Sequence, residues 1–290
     1  MQNWQRCVVF GSVGCLVDGA SMVAMYTRDA PATRGTMTGC GDDGTAMTTF
    51  HEDLQQLLPD GDELLMLGVT GSTAYGLDHA DSDVDRLGIY AVPTERVLGF
   101  GFVLNDASWV SSEPDDVQLH DIGKYLHLVL NGNPTVTELL YLAEYEFVDP
   151  RMQSLVDDRH RLLGSHRIRN AYIGYAVAQA KRLQNREASG KKGFNSDLAK
   201  RTAKHGRHCF RLLLQGEQLL TEGTLTVNVA DKRDELFAVG ELAEKDIDAF
   251  IAKYEEVKAR VDTVDAVIPD EPDREWAEQW LIDFRRSALD

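Results

Sequence analysis

Apolar and polar positions fall into two regimes along the chain. From residue 50 to about 150 the periods are short and mixed. The stripe Phe50, Leu54, Leu57 and Leu58 predicts a helix over 50–58, capped by Thr49 and acidic in its first turn. The apolar run at 63–69 and the segment 84–91 predict strands, with a short helix over 72–78 between them. After a turn through Pro93, strands are expected near 107–111 and over 116–120. Asp121 then caps a helix carrying Ile122, Tyr125, Leu126, Val129 and Leu130. The turn Asn131-Gly132-Asn133-Pro134 ends it, and Thr135 to Leu142 forms a further short helix containing Glu138. Beyond Pro150 the period is helical almost throughout, over 167–187, 196–221, 243–262 and 272–288, with one break at Gly223 to Val227. The expected class is α+β: a small sheet-bearing part over 47–150, followed by a helical region over 151–290.

Residues 1–46 follow neither regime. They are rich in Gly, Thr, Met and Ala, lack a sustained period and end in TGCGDDGTA, so they are expected to be a tail without a stable fold, or a start assigned upstream of a natural one near Met47. The 290 residues, 43% of them hydrophobic, suffice for a substantial core. A formal charge of −17 argues against a general nucleic-acid coat protein, whose surface must neutralise phosphate. The charge is uneven, however: between Lys181 and Arg211 ten Lys or Arg residues face only Glu187 and Asp197, and an anionic partner would dock there. Four cysteines without a paired framework point to a reducing cytoplasm. The apolar run Cys7 to Val17 is cut by Asp18 and lacks a cleavage site, and no stretch reaches the roughly 18–20 apolar residues of a membrane span, so no membrane partner is expected.

The chemistry concentrates in LMLGVTGSTAYGLDHADSDVDRLGIY, from Leu65 to Tyr90. In extended backbone, residues two apart share a side, so Asp83 and Asp85 present two hard oxygen ligands to one point, as Mg²⁺ requires. Gly71 permits close approach of a phosphate to the backbone, and Ser72 opens a helix whose free N–H groups face an anion. Nucleotidyl transfer commonly uses two Mg²⁺ ions, and a third carboxylate from a neighbouring strand helps to hold them; Asp116 is the first choice, with Asp115 and Asp121 as competitors. On the helix from Asp197, the residues Lys200, Lys204, Arg207 and Arg211 share a face, and Lys204 and Arg207 are the expected charge clamps on a triphosphate. Competing motifs fail. Asp81, Asp83 and Asp85 imitate a calcium loop, but Arg86 and Val92 occupy its Gly and Glu positions; P-loop and Rossmann glycine patterns are absent; His205, His208 and Cys209 lack a fourth zinc ligand.

The order Gly-Ser, short helix, Asp-x-Asp resembles the signature of the DNA polymerase beta-like nucleotidyltransferases. With DVQLHDIGKYLHLVLNGNPTVTELLY, KHGRHCFRLLLQGEQLLTEG and IPDEPDREWAEQWL added, the chain from about Glu63 to Leu281 resembles the RNA repair pathway polymerase-beta-like proteins of bacteria and phages. That resemblance implies a polymerase-beta-like core with a helical C-terminal region and metal-dependent nucleotidyl transfer. Gly71, Ser72, Asp83 and Asp85 fall at motif positions, with Asp116 as the further acid. It leaves the acceptor poorly defined; the expected donor is an NTP, ATP first, and the resemblance together with the basic segment favours an RNA 3′ end as acceptor. The alternatives are AMP transfer onto a protein, as in toxin–antitoxin systems, and nucleotide binding without turnover. Asn133, Pro134 and Glu138 match a recurrent segment in which a helix-ending turn with a buried carboxylate is one reading.

Overall fold

The computed structural model describes residues 50–79, 82–112, 115–188 and 196–289, so the expectations for 1–46 and for Thr49 lie outside the described residues. Met47–Asp290 forms one compact unit. The chain runs through α1 (Phe50–Leu57), β1 (Glu63–Thr70), α2 (Gly71–Ala74), β2 (Asp85–Ala91), α3 (Thr94–Val97), β3 (Ser108–Ser111), β4 (Asp116–Asp121), α4 (Ile122–Leu130), α5 (Pro134–Leu139), β5 (Phe147–Val148) and α6 (Gln153–Asp157). Four longer helices and α11 follow: α7 (Ser165–Ala188), α8 (Ser196–Glu222), α9 (Arg233–Lys245), α10 (Ile247–Thr263) and α11 (Arg274–Ser287). This is the α+β arrangement that the patterning predicts.

The five strands form one mixed sheet in the order β3-β4-β2-β1-β5. The pairs β1–β2, β1–β5 and β3–β4 are antiparallel, whereas β2 and β4 run parallel, with Asp85 opposite Asp116 and Tyr90 opposite Asp121. One face packs on α1 through Leu54, Leu58, Tyr90, Val117 and Leu119. The other packs on α4, α5 and α11 through Leu87, Ile89, Tyr125, Leu139 and Phe284. A separate cluster, including Tyr172, Phe210, Leu213, Phe250 and Val261, unites α7, α8, α9 and α10.

Three expectations change, and one strand is new. Leu57 is 58% exposed, so Leu54 and Leu58, one turn apart, carry the α1 stripe without it. The helix expected over 72–78 closes after Ala74, because Gly76 turns the chain at φ +66°. The helix expected over 243–262 is two helices: Asp246 leaves helical backbone and accepts from Ala249 N, capping α10, while α9 precedes it. The strand β5, only two residues long, was not anticipated from the pattern.

Candidate active site

The site lies where β1 ends and β2 and β4 begin. β1 delivers the chain into Gly71, whose φ of +67° puts it in the left-handed region. A Cβ added at Gly71 would collide with Asp85 Oδ2 and stand 3.0 Å from Asp85 Cγ, so the missing side chain is the space in which the carboxylate lies. Gly71 therefore serves two needs at once: the bend from strand into α2 and close approach to Asp85. Ser72 sits in this first turn, half-buried. The turn is closed by Tyr75 N donating to Gly71 O at 3.2 Å and Leu77 N to Ser72 O at 3.0 Å.

Asp85 is the first residue of β2, and Asp83, exposed, precedes the strand. The parallel register sets Asp116, the first residue of β4, beside Asp85 on the same face. Burial raises the Asp85 carboxyl above its ordinary range; the negative charge of Asp116 raises it further, Lys204 lowers it and Asp83 raises it. Four of the anticipated residues thus share one electrostatic neighbourhood. Among the described residues, no three His, Cys, Asp or Glu side chains converge closely enough to hold a metal ion by themselves.

The two competitors of Asp116 have other partners. Asp115 Oδ2 accepts from Arg86 Nη1 at 2.5 Å. Asp121 is fully buried; it accepts from Gly123 N at 2.9 Å as the cap of α4, from Val92 N at 3.0 Å, and from Arg285 Nη2 at 2.8 and 2.7 Å.

The basic face expected on α8 is divided. Lys200 and Lys204 are exposed. Arg207 lies with its guanidinium 4.4 Å from the Phe237 ring centroid, beside Arg233, and is turned to α9. Arg211 is no surface cation: 3% exposed, it pairs with Glu138, also donates to Gln215 Oε1 at 2.6 Å, and stacks 3.6 Å from the Tyr75 ring centroid. The register of four, three and four residues puts these side chains on one side of the helix, but that side runs from solvent into the protein interior. His208 lies against Arg211; burial first, then Arg211 and other nearby bases, push its imidazole down to about 3.

The helical region also grips the motif turn, which sequence reasoning missed. Tyr75 OH donates to Glu138 Oε2 at 2.7 Å, so Glu138 joins the turn to Arg211 of α8. Glu138 itself is placed by α5, which Pro134 begins and Asn133 caps by accepting from Thr135 N at 3.1 Å. Val229 N donates to Tyr75 O at 3.0 Å, and Arg233 donates to Gly76 O at 2.5 Å and Asp78 O at 3.0 Å. The Asn-Pro-Thr-x-x-Glu segment is therefore a helix start that delivers a buried acid to a distant arginine.

Residues 46–276 match the RNA repair pathway DNA polymerase beta family. The chain belongs to that family. Membership agrees with the Gly-Ser turn, the Asp-x-Asp segment and the sheet that joins them, and makes the chain a nucleotidyltransferase-type transferase in general terms. The solved structure of a nucleotidyltransferase-like protein from Exiguobacterium sibiricum 255-15 is similar at 12% identity, covering 82% of this chain and 78% of that one with a TM-score of 0.31. No curated protein matches the sequence. No helix among the described residues is long and apolar enough to cross a membrane.

Proposed function

We propose that the protein transfers an NMP from an NTP, ATP first, to an acceptor hydroxyl, with an RNA 3′ end as the preferred acceptor. The observation that carries this reading is the placement of Asp85 against Gly71 and beside Asp116 where β2 and β4 begin, within electrostatic reach of Asp83 and Lys204. The donor set fits magnesium. Carboxylate oxygens are the hard ligands it selects, and a half-buried acid within reach of two other acids gains from a cation. Magnesium is characteristically held by one or two carboxylates and completed by substrate phosphates, which accounts for a protein cage left incomplete. Two Mg²⁺ ions held by Asp83 and Asp85, with Asp116 on the acceptor side, would supply charge neutralisation at the transferring phosphorus.

The chain's own residues supply the positioning. Backbone N–H groups at Gly71 and Ser72 orient the β and γ phosphates, and Lys204 offsets their charge. Such a transfer gains chiefly from alignment and electrostatics, so a dedicated general base is not required. The RNA acceptor is supported by the family's description and by Lys200 and Lys204 on α8. AMP transfer onto a protein is the second enzymatic reading, favoured by the net charge of −17, which an RNA partner must overcome. Incubation with Mg²⁺, α-labelled ATP, small RNAs and proteins should label RNA with the wild type and not with Asp83→Ala. Label confined to protein selects the second reading; no label and no pyrophosphate from any of the four NTPs leaves a binding protein.

A further inference from the structure

Asp85 and Asp116 each open a strand, so the carboxylates lie side by side at the end of a parallel ladder, where hydrogen bonding is interrupted and strands fray first. Their like charges push the two strand ends apart. On the opposite face, one residue further along β2 and one residue before β4, Arg86 and Asp115 make a 2.5 Å ion pair across the same two strands. Arg86 Nε also holds Glu146 at 2.7 Å, in the segment leading to β5, and its guanidinium stacks 4.0 Å from the centroid of the Phe50 ring of α1. With its side chain 11% exposed, Arg86 is fixed on several sides, unlike an arginine in an ordinary solvated surface pair.

We propose that Arg86 is a positioning residue that ties the starts of β2 and β4 together from behind, holding Asp85 and Asp116 at one spacing against their mutual repulsion. The clamp works through the alternation of the strands: neighbours Asp85 and Arg86 point to opposite faces, as do Asp116 and Asp115. Its consequence for metal binding rests on the site reading proposed above.

Two measurements on the full chain test it. Hydrogen exchange reads the clamp without metal. In Arg86→Gln the amides of 85–87 and 116–118 should exchange several-fold faster than in the wild type, and adding Asp116→Asn should restore most of the protection, because the repulsion is gone. Mn²⁺ binding followed by EPR reads the consequence: Arg86→Gln should weaken it about tenfold, as loss of a residue orienting a metal ligand commonly does. Asp115→Asn, which leaves Arg86 on Glu146, should shift both readouts the same way and serves if Arg86→Gln fails to fold. Unchanged exchange at the two strand ends, or faster exchange that Asp116→Asn does not reverse, overturns the proposal. A wild type that binds no Mn²⁺ contradicts the metal-site reading instead, and the exchange result still decides the role of Arg86.

Discussion

At the scale of single residues, Gly71 and Asp85 are one device. Any side chain at 71 must adopt φ +67° and displace the Asp85 carboxylate. Gly71→Ala should therefore cost roughly 1–3 kcal/mol for the backbone alone and abolish transfer, read by urea unfolding beside an activity assay. Asp85 shows the opposite balance. Its carboxyl is raised above the unfolded value, so its contribution to stability is full below the ordinary aspartate range and is lost as pH rises through the folded pKa. Asp85→Asn should consequently unfold at a higher temperature than the wild type at neutral pH, with the difference disappearing in acid, while transfer is lost. A stability that falls at neutral pH would contradict the burial and repulsion described at this position. That Gly71 and the Asp-x-Asp segment lie close together was legible in the sequence, because a tight order of strand, turn and strand brings them to one place. The partner roles of Arg86 and Arg233 were not, since an arginine after Asp-x-Asp or at a helix start reads as surface charge until the facing strand is known.

At the scale of elements, what escaped the sequence was mostly non-local or too short for a period. Two alternating segments announced β2 and β4, yet nothing in either states that they pair in parallel and put Asp116 beside Asp85. β5 is two residues long, and α9 packs partly through Gly240 and Ala243 against Gly206 of α8, small residues that write a faint apolar stripe. Glu138 was visible in the short helix after Pro134, but its partner lies on α8, 73 residues away. That pairing is the seam between α5, the motif turn and the helical region. Removing one partner leaves a buried charge uncompensated, so Glu138→Ala should destabilise the protein by about 3–5 kcal/mol in denaturant unfolding. It should also loosen Tyr75, detectable as faster exchange at the motif turn. A loss within 0.5 kcal/mol, as for a typical surface change, would show that the pair is not a stabilising seam.

At the scale of the whole molecule, a strongly acidic chain sets one exposed cation, Lys204, within electrostatic reach of Asp85. Lys200 and Lys204 remain exposed on α8, whereas Arg207 and Arg211 are committed to Phe237 and to Glu138. RNA binding, measured against salt, should lose a slope of roughly 2 on neutralising Lys200 and Lys204 together. Neutralising Arg211 should instead cost stability. The α+β class followed from the change of period near Pro150, because period is a local property. How α11 returns to the first part, sending Arg285 to Asp121 of β4, required the structure. The central claim is that the carboxylates where β2 and β4 begin drive nucleotidyl transfer. Pyrophosphate release should be measured from each of the four NTPs, with and without Mg²⁺ and in the presence of RNA, for the wild type and for Asp83→Ala combined with Asp85→Ala. Release that needs Mg²⁺ and disappears in the double variant, with its unfolding transition retained, is the predicted result; release at the wild-type rate from the double variant would contradict the account.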